Sequence, residues 1–300
     1  MPTNKTIVLT GVNGFLSNYL VPVLLNAGFI VHGIGKGICR LHIADDRFLY
    51  YNLDLTEFNK MRQLLNTTKP NIVIHAAANS KPDECETDQK AAYTINVQTT
   101  KTLLETAATI QSRFIYISTD FVFDGKEGLY KEDAILNPIN YYGKTKQLSE
   151  KLVSQYAYSY SIVRTVLVYG KPLAGRQNIL SLVYNKLKNG ETFQLVNDQF
   201  RTPTYIKDLV GGITAIVQQN KNGIWHLSGD QPLMSPYAMG VRLAEICGLD
   251  KSLLIPVNHT TFKEIAQRPK TTGLDIEKAK TELNYRPTPF EKAIEEIFIV

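Results

Sequence analysis

The strongest constraint on this chain is an alternation that starts near its N-terminus and runs through more than half its length. Short apolar, β-branched runs at 5–10 (KTIVLT), 29–34, 48–53, 71–77, 113–118 and 160–170 are separated by stretches of helical period. Those stretches predict helices from Gly14 to Ala27, around Thr56 to Asn66, from Gln89 to Ala108, and from about Asn140 to Tyr156. A strand that reads as an unbroken apolar run is buried on both faces, and helices between such strands supply the cover. The fold class expected is α/β, a doubly wound parallel sheet. Past residue 170 the elements shorten, and eight of the 13 prolines fall there. That predicts a smaller, loop-rich lobe over 171–300 beside a sheet domain over 1–170, with the chain free to cross between them.

Composition removes several classes. With 300 residues, 44% hydrophobic and 20% charged, the chain has the balance of a soluble globular protein. No run approaches the ~18 apolar residues of a membrane span, and the N-terminus has no basic segment leading into an apolar core, so a cytoplasmic location is expected. The net charge of +5 is scattered among nearly as many carboxylates, which argues against nucleic acid. Cys39, Cys85 and Cys247 form no C-x-x-C, and the five histidines show no ligand spacing, so no metal is expected.

The first strand-to-helix turn reads Thr10-Gly11-Val12-Asn13-Gly14-Phe15-Leu16-Ser17. Gly11 permits a tight turn, Gly14 lets backbone approach a pyrophosphate at the helix N-terminus, and Ser17 stands where a third small residue lets helix pack on strand. This is the phosphate cradle of a Rossmann dinucleotide-binding unit, with Gly11, Asn13, Gly14, Phe15 and Leu16 as candidate contacts. An acid at the end of the second strand would bond a ribose 2′-hydroxyl, but the run from Val31 to Arg40 holds none. Lys36 and Arg40 there form a candidate 2′-phosphate clamp, so NADP(H) is favoured and NAD(H) remains open. Asp54 and Leu55 follow the third strand, towards the adenine.

Tyr142 and Lys146 form Y-x-x-x-K, which a helix places on one face. Sixteen tyrosines produce roughly one such pair by chance, so its setting matters. The strand Phe114–Thr119 ends in hydroxyls a short loop earlier. A phenol of ordinary pKa about 10 is a poor acid at neutrality unless an ammonium favours its phenolate, which Lys146 supplies. Thr119 would orient the carbonyl that Tyr142 protonates. Lys146 and Tyr142 would also touch the dinucleotide.

These pieces resemble the extended short-chain dehydrogenases, and most closely the dTDP-4-dehydrorhamnose reductase family. TGVNGFLS at 10–17, HAAANSKPDECE at 75–86, ISTDFVFDG at 117–125, NPINYYGKTKQLSE at 137–150, NDQFRTPTYIKDL at 197–209 and the looser IAQRP at 265–269 carry the likeness. The resemblance implies an NAD(P)H-dependent reductase of a nucleotide-linked 4-keto-6-deoxy sugar, acting as monomer or homodimer. It places Ala76, Ala77 and Ala78 along the cofactor, with Asn96 as a further cofactor contact from beneath the site. It places Asp83, Asp120, Val122, Phe123, Gln199 and Arg201 towards the substrate, where the Arg201 guanidinium could meet a diphosphate. Reductases of the family usually carry glycine at position 201. A dehydratase is disfavoured because Phe121 stands where those enzymes use a Glu base. A nucleotide-sugar epimerase is a minor alternative. A non-catalytic NADP-binding subunit, like the β subunit of methionine adenosyltransferase, is the alternative from another class. The apolar ending Ile297-Phe298-Ile299-Val300 suits either docking to a partner or, preferentially, packing on the chain's own second lobe.

Overall fold

A computed structural model describes residues 5–174, 177–230 and 232–299. The first half follows the alternation. β1 (Thr6–Thr10), α1 (Phe15–Asn26), β2 (Ile30–Gly35), β3 (Phe48–Asn52), α2 (Phe58–Thr68) and β4 (Ile72–His75) are followed by α3 (Pro82–Thr87), α4 (Gln89–Tyr93) and α5 (Thr99–Thr109). Then come β5 (Arg113–Thr119), α6 (Tyr141–Ser154) and β6 (Tyr160–Thr165). The second half carries β7 (Val168–Tyr169), α7 (Ile179–Lys188), β8 (Phe193–Val196), β9 (Thr204–Tyr205), α8 (Ile206–Gln218) and β10 (Gly223–His226). It ends with α9 (Pro236–Cys247), β11 (Leu254–Val257), α10 (Glu277–Glu282) and α11 (Phe290–Phe298).

Seven strands form one parallel sheet in the order β10-β6-β5-β4-β1-β2-β3. The unbroken apolar runs follow from two-sided burial. Ile7 and Leu9 of β1, Ile72 and Ile74 of β4, Ile115 of β5 and Val163 of β6 face a core shared with α1 and α8. Val8, Val73, Phe114, Tyr116 and Ile162 point the other way, into a core completed by Met61 and Leu65 of α2 and Leu103 and Ala107 of α5. Each such Val, Leu or Ile contributes on the order of 1.5–3 kcal/mol of transfer free energy.

Three elements differ from the sequence expectation. The helix expected over Gln89 to Ala108 is broken by a π-helical turn at Thr94–Gln98. There the Thr100 hydroxyl donates to the Asn96 carbonyl at 2.6 Å, and Ser149 of α6 donates to the same oxygen at 2.9 Å. The run 160–170, expected as one strand, ends in the sheet at Thr165. Leu167 takes the left-handed backbone region (φ 40°), and β7 leaves to pair with β9. β10, from the second half, returns to the sheet as its edge beside β6.

The C-terminal residues pack on their own chain: Ile294 and Ile297 are buried and the Phe298 ring stacks on Tyr184 at 4.5 Å. Ile299 is exposed, and Val300 lies outside the described residues. Among the described residues no helix is long and apolar enough to cross a membrane.

Candidate active site

Two adjoining cavities open at the carboxyl ends of the strands, where doubly wound sheets hold ligands. The first, about 530 Å³, is a groove over β1, β2 and β4. Its floor is the first turn. Gly11 has φ +72°, and a Cβ there would come within 2.9 Å of the Ala77 backbone, so only glycine fits. Gly14 caps α1 with no side-chain hydrogen bond, leaving the helix N-terminus open to an anion. Ser17 tucks under the turn, donating to the Gly11 carbonyl at 3.0 Å.

The structure places the other candidate cofactor residues on the same groove: Asn13, Phe15 and Leu16 from the turn, Lys36 and Arg40 after β2, Asp54 and Leu55 after β3, and Ala76, Ala77 and Ala78 after β4. Asn13 acts chiefly as a staple. Its amide donates to the Lys36 and Ile38 carbonyls and its oxygen accepts from the Arg40 backbone, fixing the loop that carries both cations. Lys36 is paired with Asp54 at 2.9 Å, and its side chain is 81% exposed. Hydrogen bonds from Thr56 and Lys36 hold the Asp54 carboxyl down at about 2.

Asn96 corrects the expectation of a cofactor contact. It is buried, its oxygen accepts from the Asn79 backbone at 2.8 Å, and its amide donates to the Asn79 carbonyl and the Thr145 hydroxyl. It ties the segment after β4 to α6 and does not reach the groove.

The second cavity, about 480 Å³, shares Ala76, Ala78 and Ser80 with the groove, and Thr119, Asp120, Tyr142 and Lys146 line it. α6 starts under an Asn140 cap, whose oxygen accepts from the Gly143 backbone at 2.8 Å, and this sets Tyr142 and Lys146 on the buried face. Burial pushes the Tyr142 phenol well above its ordinary range; Asp120 and Cys85 add to the effect, while the Thr119 hydroxyl opposes it. Lys146 donates to the Ile117 carbonyl at 2.7 Å and lies 4.0 Å from the centre of the Tyr116 ring. Burial lowers its ammonium to about 7, against the pull of Glu150. Burial, rather than the charge assistance expected from Lys146, governs this phenol, which keeps its proton at neutrality. Behind this wall Glu150 is paired with Arg164 at 2.7 Å, both almost wholly buried, and Ser118 donates to the same carboxylate.

Several expected substrate contacts fall elsewhere. Val122 and Phe123 are core residues, Phe123 stacking on Tyr130 at 4.2 Å; the neighbouring Phe121 faces the cleft instead. The 3₁₀ turn at Asp120–Val122 causes this by rotating the chain inward after Asp120. Gln199 is half-buried and lines neither cavity. The Arg201 guanidinium points inward, donating to the carbonyls of Phe200, Pro269 and Lys270 and pairing with Asp120, so it is not free to meet a diphosphate.

Arg268, within the IAQRP segment at 265–269, also lines the cleft, a site residue that the resemblance does not assign. It binds Asp83 through two nitrogens at 2.6 and 2.9 Å, and Asp83 also accepts from the Ile265 and Ala266 backbones. Asp83 thus anchors the segment that brings Arg268 to the cleft.

The comparisons agree with this architecture. The chain is 28% identical to methionine adenosyltransferase 2 subunit beta of Bos taurus, across 98% of this chain and 87% of that protein. It is 27% identical to the dTDP-4-dehydrorhamnose reductase of Aggregatibacter actinomycetemcomitans, across 88% and 94%. The crystal structure of the Bacillus anthracis dTDP-4-dehydrorhamnose reductase, a complex with NADP, superposes with a TM-score of 0.85 at 26% identity, covering 99% of each chain. The model of the RmlD substrate binding domain matches residues 5–299, and the chain belongs to that family.

Proposed function

We propose that the protein is an NAD(P)H-dependent reductase of the C4 ketone of a nucleotide-linked 6-deoxyhexose. The observation that carries the reading is the shared wall: Ala76, Ala78 and Ser80 border both the glycine-floored groove and the cleft holding Thr119, Tyr142 and Lys146. A dinucleotide fits that groove because the uncapped α1 terminus and the glycine at position 11 leave room for a pyrophosphate against backbone. When bound, it supplies the hydride.

The protein's own groups do the rest. Tyr142, protonated at neutral pH, gives its proton to the ketone oxygen. Lys146, held on the Ile117 carbonyl, stabilises the resulting phenolate, and Thr119 fixes the geometry beside it. Lys36 and Arg40 favour NADP(H), NAD(H) being the weaker ligand. The second lobe, chiefly 171–300, would close over the sugar nucleotide from a cytoplasmic monomer or homodimer.

The test is consumption of NADPH with dTDP-4-dehydro-6-deoxy-L-mannose, wild type beside Tyr142→Phe. Turnover that the substitution removes supports the reading. The 28% likeness to a methionine adenosyltransferase subunit supports a second reading, a dinucleotide-binding subunit without turnover. It would be favoured by a wild type that binds NADPH and consumes none with any 4-keto sugar nucleotide.

A further inference from the structure

Resting on the reading that Lys36 and Arg40 select NADP(H), the loop that carries them deepens the account of the groove. Lys36, Gly37, Ile38 and Arg40 are all exposed, so apolar burial does little to fix their backbone. Hydrogen bonds from side chains fix it instead. The Asn13 amide donates to the Lys36 and Ile38 carbonyls, and its oxygen accepts from the Arg40 backbone. The Tyr50 hydroxyl lies 2.5 Å from the Gly37 carbonyl and 3.0 Å from that of Gly35; it has one proton, which the shorter contact takes. The Gly37 N–H donates to Asn52 Oδ1 at 2.8 Å. Gly37 is thus held at both of its backbone polar groups, in a turn of φ +80° that glycine takes without strain. The Tyr50 oxygen also accepts from the Asn13 amide at 3.2 Å, which links the two anchors.

Tyr50 and Asn52 are two positions apart on β3, so the pleat sets both on one face, opposite Gly33 and Gly35 of β2. Neither lines the groove. We propose that Tyr50 and Asn52 are specificity-determining positioning residues: by clamping Gly37 they pre-form the 36–40 loop as a receptor for the phosphomonoester of an adenosine 2′-phosphate, without touching the ligand. A loop already ordered gives up little conformational entropy on binding, so more of the attraction of Lys36 and Arg40 for the phosphate is realised as affinity. A cofactor with a free 2′-hydroxyl gains nothing from this order, because its pyrophosphate rests on the first turn. The clamp therefore acts on the difference between the two cofactors.

The test titrates NADPH and NADH into the full chain, wild type beside Tyr50→Phe, Asn52→Ala and the double variant. Tyr50→Phe keeps the ring and Asn52 is exposed, so the fold is preserved. Each single substitution weakens NADPH by about three- to tenfold and leaves NADH within about twofold. The double variant weakens NADPH by about tenfold or more and loses most of the preference. Tyr51→Phe is the control: its hydroxyl meets His32 on the other face of β3, and both affinities stay as in wild type. Amide hydrogen exchange on the ligand-free chain reads the loop itself. The Gly37 amide is protected in wild type and exchanges freely in Asn52→Ala, and the Arg40 amide exchanges faster in Tyr50→Phe, through the loosened Asn13.

Undiminished NADPH affinity in the double variant overturns the proposal, and so do equal losses for NADPH and NADH, which would make the two residues general supports of the groove. Exchange at Gly37 and Arg40 that matches wild type in the double variant overturns it equally. A wild type that binds NADH as tightly as NADPH defeats the reading of Lys36 and Arg40 instead, a failure visible before any variant is made. None of these measurements needs turnover, so they stand apart from the choice of sugar substrate.

Discussion

Lys146 is where the site's chemistry sets a cost on the fold. Its ordinary ammonium pKa of 10.5 falls to about 7 on folding, so between those values the unfolded chain binds the extra proton. Stability from this group therefore rises with pH from about 7 towards 10.5 and is lowest below 7. Lys146→Met removes that dependence. The variant loses turnover, and the wild-type melting temperature should gain on it by a few degrees between pH 7 and pH 10, as thermal unfolding at both values would show. Lys36 and Arg40 carry a separate expectation. Replacing both by Ala should weaken NADPH binding by about tenfold or more and change NADH binding little, in fluorescence titrations. Lys36 contributes the less of the two if its Asp54 partner persists in the complex, and Lys36→Ala alone measures that share.

At the level of elements, the first turn decides whether there is a binding groove at all. Gly11→Ala forces a side chain into positive φ and within 2.9 Å of the Ala77 backbone. The expected cost is about 1–3 kcal/mol of stability, with NADPH binding lost, measured by calorimetry and titration of the same sample. This turn was legible in the sequence because glycine spacing reports backbone conformation directly. The strands were legible for a similar reason: burial on both faces demands apolar side chains at every position. Tyr142 and Lys146 were legible by their spacing, and both line the cleft. The break at Thr94–Gln98 was not, since it arises from Thr and Asn side chains bonding backbone carbonyls that helical periodicity does not register. Nor were the inward turns of Val122, Phe123 and Arg201, because a 3₁₀ turn and a distant acid, 81 positions before Arg201, decide which way each side chain points.

Considered whole, the molecule is less divisible than a boundary at 170 suggests. β10 is a strand of the main sheet, and α8 covers the α1 side of it with Ile206, Leu209, Ile213 and Ile216. A fragment of residues 1–170 should therefore lack a cooperative melting transition in calorimetry, whereas the full chain shows one. The same placement bears on how the protein is made. Synthesis proceeds from the N-terminus at about 5–20 residues per second, so the glycine-floored groove, whose lining runs to Ile95, emerges well before the strand that finishes the sheet. From the moment Thr165 leaves the ribosome until Trp225 and His226 follow, β6 is an open strand edge able to pair with any extended neighbour. The nascent protein's need for protection from aggregation is thus concentrated in one window of translation, and it closes when β10 docks.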